Sequence, residues 1–179
     1  MARLPYPDID HPDFAPMAER VRRERGGQVG NIFKMLMHSP PAMNGWMEFF
    51  TAIRQRCALD ARARELAILK VAVINGADYE FDAHKPFAMA AGVTREQIDA
   101  LKRGESAATL TDSDRAVLDY TEAMTRNIKV PDAVFAAVRR HFDERRVVEL
   151  TLTIGGYNLV SRFLVAMQIE PDTFTHAVT

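Results

Sequence analysis

Residues 65–92 read ELAILKVAVINGADYEFDAHKPFAMAAG and largely decide the fold. Within residues 66–74 every side chain but one is apolar, which is typical of a helix that is buried on nearly all sides. Asn75-Gly76 is a helix-ending signal, because glycine adopts the left-handed conformation of a C-cap without a steric penalty. The stretch therefore predicts a central helix, a chain reversal at Asn75-Gly76, and a second helix that carries His84.

Helical periodicity also dominates the rest of the chain, in which apolar residues recur at helical spacing between glycines and prolines. Residues 147–156 (VVELTLTIGG) alternate in a way that would also suit a strand, but the chain offers no second candidate strand to pair with them. We therefore predict an all-α, single-domain helical bundle. Helices are predicted over residues 14–25, 32–38, 42–57, 60–74, 79–84, 87–91, 94–102 and 112–126, from Pro131 onward, and over 144–168.

Composition limits the kinds of protein that this chain can be. Its 179 residues suit one domain, which can bury about 70% of the surface that the unfolded chain exposes. The 23 basic and 24 acidic side chains are interspersed, which argues against a nucleic-acid partner. Cys57 is the only cysteine, so no internal disulfide can form. We see no signal peptide and no apolar run near the ~20 residues that span a bilayer, and we expect a soluble, cytoplasmic protein without a membrane partner.

Three ionisable side chains around the chain reversal are candidate site residues: Glu65, Glu80 and His84. Glu80 and His84 are four residues apart, which places them on one face of a helical turn. The alternative is a solvated turn with a surface ion pair worth roughly a few tenths of a kcal/mol. Whether Glu65 reaches His84 depends on where the second helix begins. Pro86 lacks the N–H of a helical hydrogen bond, so we expect that helix to kink or end at residues 85–86.

The same stretch resembles the core motif of the carboxymuconolactone decarboxylase and alkylhydroperoxidase D superfamily. In that motif a glutamate is followed twelve residues later by Cys-x-x-Cys and, after three more residues, by a histidine. Glu65 and His84 match the glutamate and the histidine. The surroundings RELAIL, NGAxYE, HxxFAxxAG and YNxVSRF extend the resemblance over a core motif of about residues 60–172. Residues 1–179 are then one such domain with an N-terminal extension of about residues 1–58.

The chain departs from the motif at both cysteine positions, which fall on Ala77 and Glu80. In the peroxidase branch, one cysteine attacks peroxide as a thiolate and the other resolves the product as a disulfide. Alanine and glutamate can do neither. Cys57 has no resolving partner, so we interpret it as a small buried apolar residue. The resemblance therefore implies the cysteine-free, decarboxylase-like branch.

That branch implies general acid–base chemistry, without a cofactor, on a small carboxylate or lactone. His84 would donate or accept a proton while Glu65 or Glu80 fixes its tautomer and tunes its pKa. Alternatively, a carboxyl group whose pKa is raised beside the apolar helix would itself be the acid. We further expect the charge of Glu80 to raise the pKa of His84.

A substrate carboxylate would also need polar partners. Arg162 follows Asn158 by four residues in the helix that the resemblance brings near the site, although a salt bridge at a subunit contact is an alternative for Arg162. Tyr79 would supply a hydroxyl donor unless it is a partly buried core tyrosine. A metal site is not expected, because the other histidines fall in no ligand spacing with His84. These are His11, His38, His141 and His176.

Two other functions remain open from the sequence. One is an alkylhydroperoxidase-like, peroxiredoxin-type antioxidant that uses Cys57 with an external thiol. The other is a non-catalytic ligand-binding member of the same fold, which predicts that Glu65 and His84 point apart or are exposed. The resemblance also implies a homotrimer or homohexamer that takes a small-molecule substrate. The methionines and aromatic residues of residues 32–50 suit either an oligomer contact or a core.

Overall fold

The computed structural model describes residues 1–174, which contain nine α-helices and no strand. The predicted all-α bundle is therefore confirmed, and residues 147–156 are helical. The helices are α1 (Ala15–Glu24), α2 (Asn31–Leu36), α3 (Pro40–Gln55), α4 (Ala61–Asn75), α5 (Asp78–Ala90), α6 (Arg95–Lys102), α7 (Asp112–Asn127), α8 (Asp132–Arg139) and α9 (Glu144–Met167).

Helix α4 is the predicted central helix, and it packs against α5, α7 and α9. Asp60 caps its N-terminus by accepting a 2.8 Å hydrogen bond from the backbone N–H of Ala63. Gly76 ends it with a φ of 64°. Residues 66–69 are at most 2% exposed, and each buried leucine or isoleucine among them contributes about 1.5–3 kcal/mol to folding. The apolar run therefore fixes α4 in the core and α5 directly beside it.

Helix α5 corrects one prediction, because it runs without interruption from Asp78 to Ala90 and includes Pro86. A separate helix over residues 87–91 was therefore wrong. Proline removes the hydrogen bond to the carbonyl four residues earlier, which belongs to Asp82. Asp82 is exposed, so solvent can bond to that carbonyl and the helix continues.

The long helix α9 packs along α4 and, at its middle, against α3. Gly156 makes the second contact possible, since an added Cβ would lie 3.2 Å from the ring of Phe50 and 2.8 Å from that of Phe49. Contrary to the expectation from the sequence, α9 is long and apolar enough to cross a membrane by length and composition. A core helix passes the same test, and half of that segment is buried inside the fold.

The methionines of residues 32–50 lie in the core. Met35, Met37, Met43 and Met47 are at most 3% exposed, and Phe50 is 4% exposed. The structure therefore favours the core interpretation of this segment over the oligomer contact. Its aromatic side chains lie above α9 and form one wall of the cavity described next.

Candidate active site

A cavity of about 130 Å³ lies between the first five helices and α9. Four of the predicted site residues line it: Glu65, Tyr79, Glu80 and His84. The remaining wall is mainly aromatic and cationic. Its aromatic and cationic members are Phe33, Trp46, Phe50, Phe87, Tyr157, Arg25, Arg54 and Arg64.

Glu65 is the carboxylate that pairs with His84. Its Oε2 lies 2.7 Å from Nδ1 of His84, and the two residues are 2% and 7% exposed. Its Oε1 accepts a 3.1 Å hydrogen bond from Nε of Arg64. Burial alone would raise the pKa of Glu65, but the charge and hydrogen bond of His84, together with the charges of Arg64 and Arg54, lower it below its usual value. Glu65 is therefore ionised at neutral pH, and it fixes the orientation of the imidazole ring.

The pKa of Glu80 is shifted in the opposite direction. The residue is 2% exposed, and neither of its carboxyl oxygens has a hydrogen-bond partner among the described residues. Burial raises the pKa of Glu80 well above its usual value and so favours the neutral carboxylic acid. This shift argues against the expectation that the charge of Glu80 raises the pKa of His84, since a neutral group supplies no charge. An unpartnered buried carboxyl costs about 1–3 kcal/mol and is typical of a functional site.

Aromatic rings enclose the acid–base groups. The ring of Tyr157 meets that of His84 edge to face, with centroids 5.0 Å apart and an interplanar angle of 89°. Phe50 packs on Tyr157 at 5.6 Å, and Trp46 on Phe50 at 4.6 Å. Phe87 lies 5.7 Å from His84. The rings form a narrow apolar space in which a flat ligand would contact several faces and edges.

All three arginines in the wall, Arg25, Arg54 and Arg64, were missed by the sequence reasoning. The guanidinium of Arg54, in the last turn of α3, lies 4.8 Å from the ring centroid of Phe87. Arg25, at the end of α1, lies 5.9 Å from that of Phe33. The only signal in the sequence is that Arg54 directly follows the apolar stripe of α3, a position that surface arginines also occupy.

Asn158 and Arg162 do not line the cavity. Nη1 of Arg162 donates to the backbone carbonyl and to Oδ1 of Asn158, at 3.0 and 2.7 Å. The amide of Asn158 in turn bonds to Thr125 and Asn75, both at 3.0 Å. At about 100° per residue, both side chains lie roughly 100° or more around α9 from Tyr157, which faces the cavity. Their placement ties α9 to α4 and α7 and gives no support to a substrate-binding role in this cavity.

Tyr79 contributes its ring to the wall, but its hydroxyl is engaged elsewhere. It donates to Oδ2 of Asp172 in the segment that follows α9. Oδ1 of Asp172 accepts a 2.7 Å hydrogen bond from the backbone N–H of Asn31. Gly30 permits this approach, since an added Cβ would lie 2.9 Å from the same carboxylate. Tyr79 is therefore placed to hold the cavity wall against the C-terminal segment.

Cys57 lies outside the cavity wall. Burial, followed by the charge of Glu149, raises the pKa of the Cys57 thiol. This is the opposite of what a reactive thiolate needs. Within residues 1–174, no three His, Cys, Asp or Glu side chains are grouped so that they could hold a metal ion. His176 lies outside the described residues.

The part of the chain that contains the site is similar to known proteins. Residues 40–123 match the model of the carboxymuconolactone decarboxylase family. This segment contains Glu65, Glu80 and His84. The chain is 29% identical over 123 residues to the uncharacterized protein YdfG of Bacillus subtilis (strain 168), which covers 68% of this chain and 82% of that protein.

Two solved structures show the same fold. An uncharacterized peroxidase-related protein from Ralstonia eutropha JMP134, described as an alkylhydroperoxidase AhpD core, superposes with a TM-score of 0.83. The match covers 96% of this chain and 93% of that chain at 20% identity. The debrominase Bmp8, in a cysteine-to-alanine variant complexed with 2,3,4-tribromopyrrole, superposes with a TM-score of 0.76 over 97% of this chain and 95% of its own at 17% identity. At these identities the likeness shows the fold.

Proposed function

We propose that this chain is a member of the carboxymuconolactone decarboxylase and alkylhydroperoxidase D-like superfamily, and that it is a cofactor-free enzyme that performs general acid–base chemistry on a small carboxylate or lactone. One observation carries the proposal: two buried carboxyl groups line one cavity, and their pKa values are shifted in opposite directions. The pKa of Glu65 is lowered beside His84, and that of Glu80 is raised by burial. Environments that separate the pKa values of two such groups are the usual arrangement of a catalytic acid and a catalytic base.

The contacts suggest a role for each group. Glu65 engages Nδ1 of His84 and stabilises the imidazolium, so the ring would exchange a proton with the substrate through Nε2. Glu80 holds a proton at neutral pH and would supply it. In a decarboxylation, the bond between the substrate carbon and the carboxyl carbon breaks, and carbon dioxide leaves. The electron pair of that bond stays on the substrate and forms an enolate. That enolate then takes a proton at carbon from Glu80 or from the His84 imidazolium.

The size of the cavity supports a small cyclic substrate. An apolar cavity of about 150 Å³ holds benzene, so the 130 Å³ seen here suits one five- or six-membered ring. The walls of Trp46, Phe50, Phe87 and Tyr157 would contact such a ring on its faces and edges. A bound flat ring is also present in the complex of the debrominase Bmp8.

The alternative of a peroxidase-like antioxidant has less support. Cys57 lies outside the cavity wall, its pKa is raised, and no second cysteine can resolve an oxidised product. The non-catalytic alternative predicted that Glu65 and His84 point apart or are exposed, whereas they are buried and lie 2.7 Å apart. The acid–base enzyme is therefore the function that we propose.

A homotrimer or homohexamer, expected from the family, stays a prediction. Helix α9 offers an apolar surface for it, because Val148, Leu152 and Leu159 recur on one face and are 57, 47 and 54% exposed. The molar mass in solution, measured by light scattering, tests this prediction directly.

The enzyme proposal is tested first without a substrate. A protonated carboxyl group has a carbonyl stretching band that a carboxylate lacks, so the infrared spectrum of the wild type at neutral pH should contain a band that Glu80→Gln lacks. Glu96→Gln, at an exposed position on α6, should retain the band. Identical spectra of the wild type and Glu80→Gln would contradict the assignment of Glu80 as the acid.

The second test measures chemistry. Release of carbon dioxide from a set of lactone acids, beginning with 4-carboxymuconolactone, should fall about 100-fold or more in Glu80→Gln and in His84→Gln, since general acid–base groups contribute about that much. Glu96→Gln should keep the wild-type rate. Turnover by the wild type that survives both site substitutions would refute the proposed roles.

A further inference from the structure

The end of the cavity near α1 and α3 carries an excess of positive charge. Among the described residues, Arg54 has no hydrogen-bond partner, and no carboxylate lies within 4 Å of its guanidinium. Its described contact is the ring of Phe87, at 4.8 Å. An arginine stacked on an aromatic face keeps its planar N–H donors available for a carboxylate.

Arg25 is a second cation without a carboxylate partner. It donates to the backbone carbonyl of Glu24 at 2.9 Å and to the hydroxyl of Thr51 at 2.8 Å, both of which are uncharged acceptors. The carboxylate of Glu24 is bound instead by Arg20 and Thr51, each at 3.0 Å. Burial, and next the charge of Arg54, lower the pKa of Arg25 to about 10. The two guanidinium groups are therefore close enough to repel one another.

The charges that line the cavity do not cancel. Three guanidinium groups face it, and two ionised carboxylates, those of Glu24 and Glu65, oppose them while Glu80 is neutral. Glu65 already accepts a hydrogen bond from Arg64 and pairs with His84. A bound anion between two like charges would relieve their repulsion and gain charge-assisted hydrogen bonds in a partly buried site.

We propose that Arg54 and Arg25 form an anion-binding subsite that holds a carboxylate of the substrate which does not itself react. This inference rests on the proposed acid–base function, since it assigns the orientation of the substrate in the same cavity. The subsite selects ring compounds that bear a carboxylate over neutral analogues of the same shape.

The chemistry of decarboxylation explains why the bound carboxylate is not the reacting group. A carboxylate loses its negative charge as carbon dioxide leaves, so a charge-assisted contact with Arg54 stabilises the bound group against that step. Phe87 contacts both Arg54, at 4.8 Å, and His84, at 5.7 Å. A ring whose carboxylate is held by Arg54 therefore lies close to the acid–base groups.

The test uses 2-furoate and its neutral isostere 2-furamide as probes. Trp46 is the only tryptophan of the chain and lines the cavity, so its fluorescence reports binding directly. We expect 2-furoate to bind the wild type at least about tenfold more tightly than 2-furamide, as one hydrogen-bonded charge pair provides. Arg54→Gln should remove that preference by weakening 2-furoate binding alone. Arg56→Gln, at an exposed position in the same turn, should leave both affinities unchanged.

Glu80→Gln separates this inference from the function on which it rests. It should retain the preference for 2-furoate while losing turnover, because the substitution leaves both guanidinium groups in place. If 2-furoate fails to bind, binds no better than 2-furamide, or binds Arg54→Gln as tightly as the wild type, the subsite is refuted. Loss of turnover in Glu80→Gln would then still support the acid–base function. Arg54→Lys keeps the charge and should retain part of the preference for 2-furoate. It tests the subsite even if Arg54→Gln does not fold.

Discussion

Replacing Glu80 by glutamine should change how the stability of the protein depends on pH. In the wild type the folded-state pKa of Glu80 lies well above the ordinary value of 4.5. Between those two values the folded state holds one more proton than the unfolded state, so the free energy of unfolding falls as pH rises. The slope is about 1.4 kcal/mol per pH unit. The stabilisation is complete below the ordinary pKa and is lost as pH rises toward the folded-state pKa.

The magnitude follows from the complete burial of the group. Because Glu80 is 2% exposed and has no hydrogen-bond partner among the described residues, we expect nearly one full proton of difference. Above about pH 5, the wild type should lose about 1.4 kcal/mol per pH unit relative to Glu80→Gln until the folded-state pKa is reached. The unpaired amide of the variant has its own cost, but that cost is independent of pH and does not affect the slope.

Urea denaturation at several pH values, followed by the fluorescence of Trp46, measures this difference. Subtracting the two proteins at each pH cancels every other titrating group that they share. Glu96→Gln is the matched control, and its difference from the wild type should stay constant. A difference between the wild type and Glu80→Gln that changes by less than about 0.5 kcal/mol between about pH 5 and 7 would contradict the raised pKa of Glu80.

Two further predictions concern packing and the thiol. Gly156→Ala should destabilise the fold by about 1–3 kcal/mol, because the new methyl group lies too close to the buried ring of Phe50. Gly155→Ala has open space around the new methyl group and should instead stabilise α9 by about 0.5–1 kcal/mol. Urea denaturation measures both changes, and equal changes in the free energy of unfolding for the two variants would contradict the packing argument. The pKa of the Cys57 thiol should lie above the free value near 8.5 when its rate of alkylation is measured against pH. A pKa below that value would support the peroxidase alternative.

Local sequence signals predicted the elements that build the acid–base pair. The apolar run of α4, the Asn75-Gly76 reversal and the polar start of α5 are all properties of neighbouring residues, and they place Glu65 and His84 on adjacent helices. Which carboxylate binds the histidine depends on the relative position of two helices along each other, which local patterns do not specify. The sequence therefore left Glu65 and Glu80 as equal candidates.

Features that depend on distant residues were missed or misplaced. Arg25 and Arg54 meet at the cavity from α1 and α3, and no spacing between them could indicate this. The sequence correctly places Asn158 and Arg162 on one face of α9, but the direction of that face is set by packing against α4 and α7. The proline rule failed in α5 because it does not include solvent as a partner for the released carbonyl.

The location of the acid–base groups on a single helical hairpin separates two properties that evolution can change independently. Glu65 and His84 are only 19 positions apart in the chain, whereas much of the wall that a ligand would touch comes from α2, α3 and α9. Substitutions of wall residues that are not in contact with the pair, such as Phe33 and Trp46, can alter which ring fits while the pair stays in place. A single scaffold of this kind can therefore acquire new substrates by small steps.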